Sequence, residues 1–270
     1  MELKTYKALW GFNGTAPLEA LFERIAAAGY DGVEALVPEP AEEARFRSLL
    51  EQYKLDYIPM IYSDGDHKTS FRERLLRAAE FGPAKVNSHS AKDWMDFDEQ
   101  RDFFEFAMKA QQEAGVTVAH ETHRNRATYS AWSTARLLRE FPEMRITADF
   151  SHWVVVSETL LEDQADNVSL AIDRAVHIHG RVGFRHGPQV PDPSAPDYAE
   201  ERAAHVAWWD EICRRHHARG ESVVTFDPEF GPPGYMHTIP HTRQPIADLW
   251  NVCLWMNEHY KKHFATLGLA

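Results

Sequence analysis

Four short apolar runs in the second half of the chain each carry, at or just past their ends, a residue able to hold a metal ion. Glu121 closes the run 116–121, Asp149 lies at the end of 145–150, His179 sits near the end of 175–180, and Glu229 closes 222–229. Three carboxylates and one imidazole make a hard, oxygen-rich ligand set. It suits Mn²⁺, Mg²⁺ or Co²⁺, with Zn²⁺ possible. No thiol stands nearby, so a thiolate zinc centre is excluded. Such a set leaves room for two substrate oxygens, where the ion polarises a carbonyl and holds an adjacent hydroxyl. Taken singly, an acidic residue at a strand end is more often a helix cap or a solvated charge. One ligand on each of four consecutive strands is what points to a single site.

Further candidates flank this set. His177 and His179 are two positions apart on one strand and share a face. His177, one layer deeper, is either barrel interior or a partner that orients a ligand. His152 follows Asp149 by three residues and falls over the same mouth. The segment 120–126 is unusually cationic, and His123, Arg124 and Arg126 are placed either to meet a carboxylate or phosphate or to be solvated loop charge. His89 ends the fourth strand. Trp10, Phe12, Trp94 and Trp153 lie near strand ends, where aromatic rings stack on a sugar or pack the rim. Glu34 is the remaining acidic candidate, and His237 and His241 follow the last strand.

These residues need a frame that brings strand ends together. Apolar runs at 6–12, 32–37, 55–62, 85–90, 116–121, 145–150, 175–180 and 222–229 read as strands. They alternate with helical periodicity at 16–29, 40–54, 70–82, 96–115, 129–141, 159–174, 198–220 and 245–264. Ser70 and Glu73 make a capping-box pattern at the third helix. Eight strand–helix alternations in 270 residues fit a (β/α)₈ TIM barrel, one domain over 1–270, with the site at the C-terminal strand ends. An open doubly wound sheet would carry a glycine-rich phosphate turn after strand one, and Gly11-Phe12-Asn13-Gly14 lacks the G-x-G-x-x-G spacing. The loop 181–197 after strand seven is the right size for an active-site cover.

Composition narrows the class. A net charge of −12 disfavours binding to nucleic acid or anionic membrane. Cys213 and Cys253 fall in helical stretches and read as buried small hydrophobes rather than a disulfide framework. No run of 18 apolar residues and no leader-like segment is present, which points to a cytoplasmic protein. Trp208, Trp209, Trp250 and Trp255 leave a homo-oligomer open.

At strands five to eight the chain resembles the xylose isomerase-like TIM-barrel superfamily, and within it the ketose 3-epimerases, with inosose dehydratases as relatives. The resemblance implies Glu121, Asp149, His179 and Glu229 as ligands of one divalent metal, manganese among the candidates. Glu121 and Glu229 would double as acid and base on opposite sides of the sugar carbon. It also implies His152 and Arg185, six residues after His179, as substrate-binding residues; their own positions at strand ends and in the cationic loop make His89, His123 and Trp94 further substrate-binding candidates. The implied activity is that of a sugar isomerase or epimerase in carbohydrate metabolism. It removes a proton next to a carbonyl through a metal-stabilised enediolate, acting on a small sugar or polyol. An inosose or keto-sugar dehydratase with the same metal site is the alternative. An endonuclease IV-like metallohydrolase ranks lower. That family asks for an Asp-x-His pair after strand seven, where this chain has Asp192-Pro193-Ser194.

Overall fold

The computed structural model describes residues 1–12, 14 and 16–269; Asn13, in the turn expected after strand one, lies outside them. Among the described residues, eight strands close into a parallel barrel in sequence order. They are β1 (Glu2–Ala8), β2 (Gly32–Leu36), β3 (Asp56–Tyr62), β4 (Val86–His89), β5 (Val118–Glu121), β6 (Arg145–Ala148), β7 (Ala175–His179) and β8 (Val223–Asp227). Between and after them run α1 (Leu18–Ala27), α2 (Pro40–Tyr53), α3 (His67–Ala79), α4 (Phe97–Ala114), α5 (Ala131–Glu140), α6 (Ser151–Ser157), α7 (Ala165–Arg174), α8 (Ala199–Ala218) and α9 (Leu249–Phe264). The expected (β/α)₈ TIM barrel is therefore the observed fold. Parallel strands need crossovers of this length, and the helices cover the outer face of every strand.

Four boundaries depart from expectation, each for a local reason. β1 starts at Glu2 rather than residue 6, because Glu2 through Thr5 pair with Val223 through Phe226 to close the barrel. Leu9 and Phe12, expected within that strand, pack instead against Phe22 and Trp250. α3 is capped by Asp66, which accepts from the Lys68 and Thr69 amides, so Ser70 and Glu73 form no capping box. α9 starts at Leu249 under an Asp248 cap, which leaves 228–248 as a long loop over the barrel mouth. The expected helix 159–174 is shorter, α7 at Ala165–Arg174, and a separate helix, α6, precedes it. α6 begins directly after Asp149 and ends at Glu158, whose φ of 55° breaks the helical path. That extra helix carries His152 into the mouth.

The main hydrophobic core lies between the sheet and the helices, with Phe104, Trp153, Trp209, Phe226 and Tyr260 wholly buried. Trp209 and Trp250 are both interior, and both cysteines are buried and unpaired. The barrel interior is polar. Lys85 Nζ donates to Thr225 Oγ1 at 3.1 Å, Thr225 meets His177 Nδ1 at 2.7 Å, and His177 Nε2 meets Glu34 at 2.9 Å. A register shift between Ile146 and Thr147 sets Thr147 opposite His177. One step onward, Ala148 stands opposite Ile178, so Asp149 and His179 follow next on their chains. Gly180 must be glycine, since a Cβ there would meet the Phe226 ring at 2.0 Å. No helix among the described residues is long and apolar enough to cross a membrane.

Candidate metal centre and substrate cavity

The four residues singled out by strand-end position meet. Ligand atoms of Glu121, Asp149, His179 and Glu229 all lie within 4.8 Å of one another. His179 Nδ1 is 3.2 Å from Glu229 Oε2, 3.7 Å from Glu121 Oε1 and 3.9 Å from Asp149 Oδ2. Glu121 and Asp149 come from the ends of β5 and β6. Glu229 sits two residues past β8, turned in by a backbone bond from its amide to the Asp227 carbonyl.

Two observations test whether these residues fit a cation. Glu121 Oε1 and His179 Nδ1 are buried polar atoms without a hydrogen-bond partner, and they face each other. Buried polar atoms are almost always paired, so two converging orphans mark a missing positive partner. The other edge of the His179 ring is held by Glu34, whose oxygens lie 3.2 and 3.3 Å from Nε2. A carboxylate behind one ring nitrogen fixes the tautomer that presents the other as a ligand. The donor set fits a divalent ion.

Electrostatics agree. Five carboxylates are buried here (Glu34, Glu121, Asp149, Asp227 and Glu229) against the cations Lys7 and Arg181. Burial opposes the charge on Glu121, yet His89 and His179 hold its carboxyl well below the usual range. Burial likewise opposes the charge on Glu34, but His179 and His177 bring it down to about 2. Burial works against a charged His179 ring as well. Glu229, Glu34 and Glu121 together outweigh it and push the pKa well up. Asp149 is raised to about 6 by burial, with Arg181 pulling the other way. Burial and the nearby Glu34 charge push Asp227 well up, toward the neutral acid. A cation would draw the same atoms that now compete for one proton.

The surrounding side chains are fixed by the fold. Asn87 Nδ2 donates to Glu34 at 2.7 Å and to Glu121 Oε2 at 2.8 Å, while His89 Nε2 meets the same Glu121 oxygen at 2.9 Å. Glu121 therefore keeps Oε1 for the cluster. Rings of His89, His123 and His152 lie against one another at a tilt, with centroids 4.3 and 3.9 Å apart. Burial pushes His123 and His152 well down, so both rings are neutral at ordinary pH. His177 meets Glu34 at 2.9 Å and packs edge-on against the His179 ring, with centroids 5.1 Å apart.

Two expected residues lie elsewhere. Arg185 points to α8, 3.6 Å from Glu200 and 3.9 Å from Glu201, and is not part of the cavity wall. Trp94 is 71% exposed and also outside it. The arginine beside the cluster is Arg181. It is buried against Asp149, donates to Ser151 Oγ at 3.0 Å, and reaches His152 Nε2 at 2.7 Å. It follows His179 by two residues, the same-face spacing that a strand continuing past Gly180 would give. Of the loop 181–197, only Arg181 lines the cavity; Gln189 ties the loop to Gly231 at 2.6 and 3.2 Å. Asn87 was equally readable, two residues before His89 on the same strand face, but an amide gives no ligand signal in a sequence. Tyr235, from the long loop after β8, carried none.

Over the cluster opens a cavity of about 410 Å³, within the range of small-molecule sites. Its floor holds Glu34, Glu121, Glu229, His89, His123 and Arg181. Its opposite wall is Leu9, Trp10, Ala35, Leu36, Met60 and Tyr62 from the ends of β1 to β3.

Residues 22–189 match the model of the xylose isomerase-like TIM barrel family. The chain belongs to that family. No curated protein matches the sequence. Among solved structures, this xylose isomerase-like barrel is similar to D-allulose 3-epimerase from Methylomonas sp. in complex with D-allulose. Identity is 19%, coverage 96% of each chain and TM-score 0.63. It is also similar to the probable 3-DHS dehydratase AsbF from Bacillus anthracis, at 15% identity, 96% and 98% coverage and TM-score 0.60. A xylose isomerase-like TIM-barrel protein from Mycobacterium smegmatis in complex with magnesium matches at 12% identity, 99% and 97% coverage and TM-score 0.65. At these identities the likeness is one of fold. The fold is one on which both epimerases and dehydratases are built.

Proposed function

We propose that the protein is a divalent-metal-dependent isomerase or epimerase of a small sugar or polyol. It acts in the cytoplasm, in keeping with its two unpaired buried cysteines. The observation that carries this reading is the placement of Glu121 and Glu229. They come from strands three places apart in the ring, so their carboxylates face the same point from different walls. Glu121, Asp149, His179 and Glu229 would hold the ion, with Mn²⁺, Mg²⁺ or Co²⁺ favoured over Zn²⁺. When bound, the ion supplies Lewis-acid stabilisation of the negative charge that develops when a carbon next to a carbonyl loses a proton.

The chain's own residues supply the rest. Glu121 Oε1, left free by Asn87 and His89 on Oε2, takes or returns a proton on one side of the substrate carbon. Glu229 Oε2 does so on the other. Two working faces epimerise a centre, whereas a single face moves the carbonyl along the chain. Arg181 fixes Asp149 and Ser151, and the apolar wall keeps bulk water from the reacting carbon. The acidic surface argues for no nucleic-acid or membrane partner.

The experiment is metal analysis of the purified protein, followed by a panel of ketoses, inososes and 3-keto-glycosides in deuterated water. Bound divalent metal with deuterium entering at the carbon next to the carbonyl supports the reading. Loss of water from the exchanging substrate would assign a dehydratase instead. Metal without exchange on any member would remove proton abstraction from the account.

A further inference from the structure

Two arginines line the cavity, and one is already used. Arg181 binds Asp149 and lies 3.5 Å from Glu229. Arg126 has no such partner. Its Nη1 donates to the Ser63 carbonyl at 3.1 Å, its Nε is buried with no hydrogen-bond partner, and among the described residues no carboxylate lies within ion-pair distance of it. A guanidinium brings five N–H donors in a planar fork, so most of the capacity of Arg126 is unspent. Its backbone is fixed by turns, with its amide bound to the His123 carbonyl and its carbonyl to the Tyr129 amide, both at 3.1 Å.

The surroundings are positive too. Lys92 reaches Asn125 at 3.3 Å, and burial first, then the Arg126 charge, disfavours the charged forms of both Lys92 and His67. Burial pushes the Arg126 pKa down against the weaker pull of Glu121, Asp64 and Asp93. In a chain of net charge −12, this is a cationic corner of an otherwise acidic cavity whose arginine makes no ion pair among the described residues. The same cavity is lined by Leu9, Trp10, Leu36 and Met60 as well as by the cluster carboxylates.

We propose that Arg126 receives a carboxylate or phosphate borne by the substrate on a part other than its reacting carbon. The substrate is then an acidic sugar or polyol derivative rather than a neutral ketose. Bidentate binding of a carboxylate or phosphate is what a free guanidinium fork supplies. This rests on the proposed function only in taking the cavity as the substrate site.

The test uses the full-length protein and three six-carbon probes: D-fructose, 5-keto-D-gluconate and D-fructose 6-phosphate. Binding is read by calorimetry and solvent deuterium exchange at carbon by NMR. At least one anionic probe is expected to bind tenfold or more tighter than D-fructose, and the ranking of carboxylate against phosphate identifies the group. Arg126→Met should erase that preference while D-fructose affinity stays within about twofold. Arg126→Lys should keep part of it, and decides the matter where Arg126→Met fails to fold. Preference for an anion without carbon exchange would overturn the proton-abstraction reading and leave the anion site standing. Exchange without preference would do the reverse. Equal binding of all three probes, no binding of any, or a preference that survives both variants overturns the assignment of Arg126.

Discussion

The two sides of the cavity are built by different chemistry. The side formed by β4 to β8 is a lattice of charged and imidazole groups, with Glu121 Oε1 and His179 Nδ1 left without hydrogen-bond partners at its centre. The side formed by β1 to β3 shows the cavity Leu9, Trp10, Ala35, Leu36, Met60 and Tyr62. One side carries most of the groups that could hold an ion and move protons, and the other, Glu34 apart, is mainly apolar. On the proposed function, the chemistry would fall to the first side, and the second would contribute shape to the substrate site.

Four variants press on that division. The largest effect is expected from Glu229→Gln, which keeps size and hydrogen bonding but removes the proton acceptor. Turnover should fall by about 10²–10⁴-fold, with circular dichroism and unfolding temperature unchanged. A near-normal rate would take Glu229 out of the acid–base role.

Next is the acid sensitivity of the loop after β7. The buried His205 accepts from the Gly183 amide at 3.2 Å through Nε2 and meets the Glu201 carbonyl at 2.8 Å through Nδ1. Burial lowers its pKa from 6.5 to about 4. A folded pKa below the unfolded one means the unfolded chain binds the proton first. This contribution to stability is thus complete above pH 6.5 and is lost as pH falls through about 4. The full effect is at most about 3 kcal/mol. Unfolding free energies of wild type and His205→Gln, compared from pH 7 to 4, should converge as pH falls. Parallel curves would clear His205 of the effect.

Glu34→Gln comes third. It leaves all four cluster ligands in place but weakens the brace behind His179, and metal affinity should fall by about 10–100-fold. Titration of metal-stripped protein followed by calorimetry reads this directly, and an unchanged affinity would mean that Glu34 serves packing alone. Smallest is Met60→Ala on the apolar wall. It should raise KM by about tenfold or less with kcat nearly untouched. A loss confined to kcat would mean the wall takes part in the chemistry after all.

The same division explains what was legible in the sequence. Glu121, Asp149, His179 and Glu229 could be found because ligand-type residues at consecutive strand ends stand out from an apolar background. Leu36 and Met60 could not, since an apolar residue at a strand end reads equally as core, rim or pocket. The strand–helix alternation predicted the barrel, because period-2 and period-3.6 patterns are properties of each segment alone. The start of β1 and the separate α6 were hidden for the opposite reason. Closure onto β8 and the break at Glu158 depend on partners far along the chain or on one residue's φ. The resemblance implies Arg185, six residues after His179, whereas Arg181 is the arginine beside the cluster. Spacing carries no information about which arginine a turn at Gly180 folds inward.

One feature ties the two halves back together. Glu34, which steadies the ligand ring of His179, belongs to the same five-residue strand as Ala35 and Leu36, which form part of the apolar wall. Redesigning that rim for a bulkier substrate would displace the backbone that anchors the brace. Attempts to retune selectivity at β2 should therefore cost the protein some of its hold on metal, whereas changes at Met60 or Tyr62, one strand away, should not.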